Sequence, residues 1–513
     1  MDNNNYVRGV RSRIMMPPVF SFENLYRAYL DCRKNKRNRQ DAILFEMNAE
    51  ENIYELSREL TEKTYRPSFS TCFVVKKPKL REIFAASFRD RIVHHLLVRY
   101  HEKIWEPAFI FHSYASRKEK GIHLAVKNLQ TFLRKATLNS SRAAFCMQLD
   151  IRNFFMTIEK NILCRLISSR CRNNDILWLT ELVIRHDPAE NYVSRSPLSL
   201  LNSVPPHKSL IHTEKNKGLP IGNLTSQFFA NIYLNSLDHF IKRGLKCRFY
   251  MRYVDDLILV SHREYELLHW KKEISRYLEK ELLLELNPSG TKIFPVKHGA
   301  DFLGYIVNPT YILIRKRVVN NFRAKLRDYR RKLVRISDGV EVISYHDDIL
   351  ENLFATLSSY MGHFRHANTY NLLKSIFEKN IWLKHFFVFS EGRLKRSYVP
   401  AREFSRLRTQ YFHFLKQVPR SIIFFQVGCF YEFYGIQALK ASKYFKLKMI
   451  KRKFGFRQRC GIGEWALRYY VEQAIQYGQP VAVINQTGYV AGNIAERKLS
   501  VQYKPLKRCF FLD

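Results

Sequence analysis

Phe249-Tyr250-Met251-Arg252-Tyr253-Val254-Asp255-Asp256-Leu257-Ile258-Leu259-Val260 sets two adjacent carboxylates between two apolar, β-prone stretches. The pattern predicts a β-hairpin with both acids at its tip. Adjacent like charges cost stability unless something positive neutralises them, and a divalent metal is the usual answer. A third acid, Asp150, ends the strand-like run Ala143-Ala144-Phe145-Cys146-Met147-Gln148-Leu149. Acids that hold two metal ions about 3.5–4 Å apart can clamp the attacking and leaving oxygens of a phosphoryl transfer.

Around this hairpin lie 513 residues, enough for several domains with sizeable cores. Hydrophobic residues make up 46%, a globular rather than a disordered proportion. Lys and Arg number 86 against 46 Asp and Glu, a formal charge of +40 spread along the whole chain. An anionic polymer is the expected partner, because phosphate neutralisation supplies much of nucleic-acid affinity. The nine cysteines show no Cys-x-x-Cys pair and no metal-ligand spacing. With an odd count and no signal-peptide pattern, they read as reduced thiols of a cytoplasmic protein. No run approaches the ~20 apolar residues of a membrane span, so no membrane partner is expected.

The periodicities predict helices over much of 20–63, a strand–turn–strand over 69–86 around Lys76-Lys77-Pro78-Lys79, and a helix over 88–104 with one buried face. A further helix follows at 123–135. The segment 152–171 reads as mostly helical and 186–217, rich in proline, as a long loop. Gly218 to Gly222 opens a helix through Leu237, and another spans 264–283. Residues 313–380 read as basic helices broken near Gly339 and Gly362. The pattern is interrupted around Ser390-Glu391-Gly392 and Pro400, and a second α/β-like segment begins near Arg402.

Four segments fall in the order of a reverse transcriptase: Gln148-Leu149-Asp150-Ile151-Arg152-Asn153-Phe154-Phe155, Leu219 to Gln227, Tyr253-Val254-Asp255-Asp256, and Phe302-Leu303-Gly304-Tyr305. The resemblance covers roughly residues 55–385. It implies an RNA-directed DNA polymerase of fingers–palm–thumb architecture. Asp150 and Asp255 would ligate two Mg²⁺ ions, with Mn²⁺ as the alternative. The Ile151 carbonyl would be a further ligand and Asp256 a less direct member of the set. Phe155 matches the steric gate that rejects a ribose 2′-hydroxyl, so DNA is the expected product. Lys76 and Arg81 resemble residues that grip the incoming dNTP, with Arg91 and Arg117 as further candidates. Lys292 matches the lysine that protonates pyrophosphate, and Phe302, Leu303, Gly304 and Tyr305 match the primer grip. The basic residues between Arg315 and Arg335 look like a thumb tracking a template–primer backbone.

Most reverse transcriptases carry Gln-Gly-x-x-x-Ser-Pro where this chain has Ile221-Gly222-Asn223-Leu224-Thr225-Ser226-Gln227. The changes at both ends resemble the enzymes of diversity-generating retroelements, which copy a template RNA with frequent errors at adenines. Gly222 lets backbone approach the nascent pair. A glutamine at the first position can hydrogen-bond a nucleotide, and Ile221 cannot. Losing a polar anchor lowers the penalty for a misplaced base. Template RNA, cDNA, the RNA–DNA heteroduplex, dNTPs and a small basic accessory protein are the partners implied.

Gln426-Val427-Gly428-Cys429-Phe430-Tyr431-Glu432-Phe433-Tyr434 resembles the N-terminal mismatch-recognition domain of the repair protein MutS, with Ala482 to Gln486 and Glu496 to Lys498 matching in order. The resemblance makes Phe430 a wedge beside a mispaired base and Glu432 its hydrogen-bonding partner. No Walker-type phosphate loop is present, so a MutS-like role would stop at binding.

The expected fold is α+β: a right-hand polymerase with an antiparallel palm sheet and helical thumb, followed by a small α/β MutS-like domain. The domains are expected at 1–60 (helical extension), 61–310 (fingers and palm), 311–385 (thumb), 386–402 (linker) and 403–513. Two other functions fit parts of the sequence. One is a related reverse transcriptase acting in phage defence. The other is a non-catalytic nucleic-acid scaffold, against which the intact acids argue.

Overall fold

The structure is a computed structural model that describes residues 18–506, apart from 35, 37–38, 77–78, 391–392, 398–403, 405, 454 and 492–493. The chain divides into two compact units, Met1–Tyr311 and Ile312–Asp513. Both mix helices and sheets, so the α+β expectation holds. No helix among the described residues is long and apolar enough to cross a membrane.

The first unit is organised by a four-stranded antiparallel sheet in the order Phe249–Tyr253, Asp256–Ser261, Phe145–Asp150, Lys292–Pro295. Its middle strand, Asp256–Ser261, is almost wholly buried after the first residue, which is why it reads as a continuous apolar run. The helices Phe88–Trp105, Leu224–Tyr233 and Glu264–Glu281 contribute their apolar faces to the same core as Leu149, Tyr250, Leu257 and Leu259. Ser87 caps the first of these helices by accepting from the Asp90 amide, closing an orphan donor.

Ser70–Val75 and Arg81–Ala85 pair as the expected hairpin, whose turn residues Lys77 and Pro78 lie outside the described residues. The segment 186–217 is more ordered than its prolines suggest. Tyr192–Ser194 adds a parallel strand to Ser70–Val75, and short helical turns follow. Glu82 explains this: its buried carboxylate accepts from the Ser209 hydroxyl at 2.7 Å and the Leu210 amide at 2.9 Å. A charge taken out of water needs such partners, and Ser209 and Leu210 of that segment supply them.

In the second unit the reading of 313–380 as broken helices is corrected. Lys316–Leu333 and Asp347–Phe364 are helices, but Val334–Ser337 and Val340–Ser344 between them form an antiparallel hairpin. Asp338 and Gly339 turn it with φ of 50° and 74°, the left-handed pair that a two-residue hairpin requires. Gly362 lies inside the second helix rather than at a break. Within 386–402, Phe387–Ser390 pairs with Arg393–Arg396, so part of the expected linker is a hairpin.

Ile422–Val427 pairs antiparallel with Phe430–Tyr434 and parallel with Val481–Ala491. Tyr431 and Phe433 face a core shared with Phe424, Ala438, Phe445, Val471 and Ala474 from the helices Ile436–Phe445 and Leu467–Gln476. The opposite face is covered by Leu407–Gln417, whose Tyr411 packs edge-on against Phe425 and Tyr434.

Candidate active site

The three acids converge. Asp150 stands opposite Asp256 in the strand register, Asp255 occupies the turn between the two hairpin strands, and one carboxylate oxygen from each lies within 4.8 Å of the others. Three hard oxygen donors so close suit a hard divalent cation. Burial and the neighbouring Asp150 push the Asp255 carboxyl up to about 6, while its own backbone amide, Arg81 and Lys79 pull the other way. Burial is the larger cause and Asp150 the second, and a cation bound among the three acids would relieve both.

The turn itself is held from below. Val254 adopts φ +56°, a conformation a β-branched residue resists. Arg252, fully buried, donates from its guanidinium to the Val254 carbonyl at 2.9 Å and to both oxygens of buried Asp238, the shortest contact being 2.7 Å. The Tyr250 hydroxyl donates to the same Asp238 at 2.6 Å, and Asn231 Oδ1 accepts from Arg252 at 3.1 Å. This network ties the acidic turn to the helices 224–233 and 235–239.

Asp150 has its own support. Asn287 Nδ2 donates to Asp150 Oδ2 at 2.7 Å, and the Asn287 amide donates to the Asp150 carbonyl at 2.8 Å. A Cβ on Gly290 would lie 2.6 Å from Asp150 Cβ and 2.8 Å from its Oδ2, so only glycine admits the aspartate there. Sequence reasoning missed Asn287 and Gly290. Asn-Pro-Ser-Gly at 287–290 is a turn signal in the sequence, and such a signal says nothing of what the turn touches.

Ile151 follows Asp150 and is buried, bridging to Leu286. Phe155 is half-buried and Ile221 packs in the same apolar cluster, with Phe84 and Met156. The Leu219 amide donates to the Phe155 carbonyl at 2.8 Å and the Phe84 amide to the Ile221 carbonyl at 2.9 Å, which draws 155, 219–221 and the 70–85 hairpin together. Gly222, at φ +125°, sits where a Cβ would lie 2.8 Å from Ile83 and 2.9 Å from the Phe84 carbonyl. Gln227 is exposed and accepts from the Ser116 hydroxyl at 2.9 Å. Lys292 is exposed on the strand beside Asp150, opposite Gln148. Lys76 and Arg81 are exposed at the facing ends of their hairpin, and Lys79, which the sequence reading left in a generic basic turn, joins Arg81 in acting on Asp255.

Two further basic candidates are corrected. Arg91 pairs with Asp41 and donates to the Ala86 carbonyl, and Arg117 is buried in a two-pronged pair with Glu106, its shortest contact 2.7 Å. Both guanidiniums are engaged in holding the fold. Phe302 and Tyr305 are buried and flank the turn residues Leu303 and Gly304, at φ 50° and 92°, which form the accessible tip.

In the second unit Phe430 is 57% exposed. Glu432 is corrected: it is buried, paired with Arg459 at 2.5 Å and bonded by the Tyr434 hydroxyl. Side chains alternate along a strand, so 430, 432 and 434 share one face, but that face is covered beyond residue 430.

Comparison with known proteins agrees with this division. Residues 74–307 match the family of reverse transcriptases (RNA-dependent DNA polymerases), and residues 405–505 match MutS domain I. The chain is 25% identical to protein YkfC of Escherichia coli over 296 residues, 51% of this chain and 71% of that protein. It is 21% identical to the group II intron-encoded protein LtrA of Lactococcus lactis over 462 residues, 69% of this chain and 73% of that one. The DNA mismatch repair protein MutS of Alkaliphilus metalliredigens is 34% identical over 80 residues, 15% of this chain and 9% of the relative. The chain therefore carries a reverse transcriptase (RNA-dependent DNA polymerase) domain at 74–307 and a MutS domain I at 405–505.

Proposed function

We propose that this polymerase makes error-prone cDNA, misreading template adenines, in a diversity-generating retroelement, and that its MutS domain I binds mispaired or distorted duplex. The observation that carries the reading is Ile221, an apolar side chain packed with Phe155 at the position where a glutamine would offer a hydrogen bond. An apolar wall holds a base by shape alone, and one missing hydrogen bond is worth about 1 kcal/mol, or roughly fivefold in selectivity.

Bound at Asp150, Asp255 and Asp256, with the Ile151 carbonyl beside them, two Mg²⁺ ions would activate a primer 3′-hydroxyl and take up charge on departing pyrophosphate. The chain's own residues do the rest. Lys79 and Arg81, close enough to lower the Asp255 pKa, bind the triphosphate, with Lys76 on the same hairpin. Phe155 closes the sugar side against a 2′-hydroxyl. Lys292 protonates the leaving group from the neighbouring strand, and the Leu303–Gly304 tip supports the primer. Asn287 and Gly290 keep Asp150 in place.

Primer extension on RNA followed by sequencing of the products tests the reading. Errors should concentrate opposite adenines, and Ile221→Gln should lower them about fivefold. Errors spread evenly over the four template bases would remove the retroelement assignment. Absence of metal-dependent extension, with Asp255→Ala as control, would count against the assigned site. For the C-terminal domain, the full chain should prefer mispaired to matched duplex, and Phe430→Ala should erase the preference.

A further inference from the structure

The thumb hairpin is part of the MutS domain's sheet. Within the second unit the strand order is Val334–Ser337, Val340–Ser344, Ile494–Pro505, Val481–Ala491, Ile422–Val427, Phe430–Tyr434, Phe456–Gly463, Ile450–Lys453. Val340 to Ser344 run antiparallel to Pro505 to Val501. The Tyr345 amide extends the ladder to the Ser500 carbonyl at 2.9 Å, the Leu506 amide reaches the Gly339 carbonyl at 2.8 Å, and Lys498 pairs with Asp347 at 3.1 Å. A continuous ladder resists bending far more than a tether does, so thumb and MutS domain move as one body.

The register fixes which end of the sheet does what. Ser344 lies level with Val501 and Val483, and Asp347 beside Lys498, which is level with Asn485. Phe425 is level with Ile484, so Val427 and its partner Phe430 stand further toward the same end. The helices Lys316–Leu333 and Asp347–Phe364 thus join the sheet at its Phe430 end. Five strand spacings separate Val334–Ser337 from Phe430–Tyr434, and four separate Val340–Ser344 from it, about 24 and 19 Å, both less than one duplex turn of roughly 34 Å.

Each place brings one half of a duplex reader. The helix Lys316–Leu333 turns Val319, Phe322 and Leu326 inward and leaves Arg323, Arg327 and Arg330 exposed, charges that suit phosphates. At the other place Trp465 is 92% exposed. Gly463 pairs with Phe430, and a Cβ there would meet Trp465 Nε1 at 2.5 Å, so the indole lies over the strand next to Phe430. The Glu464 amide bonds the Cys429 carbonyl at 2.9 Å and locks the two turns together. Two exposed rings on neighbouring strands, at paired positions, offer a stacking surface for bases.

We propose that the MutS domain reads the duplex held by the thumb of its own chain, the growing template–cDNA hybrid, with Trp465 as a second base-contacting ring beside Phe430. The proposal rests on the mismatch-binding reading above and narrows which duplex is read. The test uses the full chain and template–primers that carry one mispair at increasing distances behind the primer 3′ end. Each extension rate is divided by the same protein's rate on the matched hybrid. A window of a few positions should deviate roughly tenfold, the size of a base–aromatic stack, and Phe430→Ala and Trp465→Ala should each flatten it while Trp465→Phe keeps it. Both side chains are exposed, so thermal unfolding should stay unchanged and separate loss of reading from loss of fold. A response equal at all positions overturns the proposal, and a window that survives Trp465→Ala overturns the role of that ring. Binding to blunt mispaired duplexes separates the failures. Preference there without a window leaves mismatch binding standing and sinks the reading of the chain's own hybrid, whereas no preference in either assay sinks both.

Discussion

Arg252 and Asp238 bear the weight of the acidic turn. Both are fully buried, and the guanidinium is the donor that fixes the Val254 carbonyl in a left-handed turn. Such a backbone costs about 1–3 kcal/mol and persists only where its surroundings over-determine it. Arg252→Met leaves the Asp238 carboxylate buried without its positive partner and with the Tyr250 hydroxyl still donating to it, so denaturant unfolding should show a loss of about 3–5 kcal/mol, with polymerisation lost as well. A loss below about 1 kcal/mol would mean the turn is held otherwise. Asp255 makes a second case. Its folded pKa of about 6 lies above the ordinary value near 3.9, so the folded state holds the proton more tightly. The stability gained from that proton is complete below about pH 3.9 and lost as pH rises through about 6. In chelator at pH 7.5, Asp255→Asn should therefore be more stable than the native chain by about 1–3 kcal/mol, with the gap closing below pH 4. An equal gap at both pH values would refute the account that burial and Asp150 raise this carboxyl. The acids themselves were legible because Asp150, Asp255 and Asp256 stand in order with the segments Leu219 to Gln227 and Phe302 to Tyr305, whereas an Asp-Asp turn alone is more often just solvated. Arg252 was not, since one arginine among 86 Lys and Arg reads as solvated until burial is known. Glu432 was misread for the same reason in reverse.

At the scale of elements, local pattern says where a turn is and not what it touches. The turn Asn287 to Gly290 was legible as Asn-Pro-Ser-Gly, yet its contact with Asp150 depends on the strands that bring the two together. Gly290→Ala forces a methyl onto Asp150 and should lower kcat about 100-fold, because displacements near 1 Å in a reacting group cost that much. Unfolding midpoints should scarcely move, and an unchanged kcat would show that the aspartate has room. The hairpin at Asp338-Gly339 is the opposite lesson. Val334-Arg335-Ile336-Ser337 and Val340-Glu341-Val342-Ile343-Ser344 flank the strongest short hairpin signal there is. Basic residues at helical spacing on its N-terminal side drew the period reading across it. The strand Tyr192–Ser194 was hidden differently, since its pairing is paid back by the distant Glu82 contact.

Across the whole molecule, the excess of positive charge predicts more than solubility. The two resemblances were legible, but the shared sheet was not: Val340 to Ser344 pair with Val501 to Pro505 across most of the second unit, and no local pattern names a strand's distant partner. Charge, by contrast, is readable from the sequence and becomes specific once burial sorts it. Arg91 and Arg117 leave the nucleic-acid account because carboxylates engage them, while Arg323 and Arg327 remain on the exposed side of an amphipathic helix. Each phosphate neutralised releases counterions, which lowers log K by about 0.7–0.9 per unit of log salt. Binding of the full chain to a template–primer, measured over a range of salt concentrations, should therefore show a steep slope. Arg323→Gln combined with Arg327→Gln should reduce that slope by roughly 1.4–1.8, equally for templates of different sequence. The same pair of changes at Arg91 and Arg117 should destabilise the fold instead, because it strips partners from Asp41 and Glu106. A slope unmoved by the Arg323 and Arg327 changes would take that helix off the phosphate backbone, and a change that depends on template sequence would place it against bases.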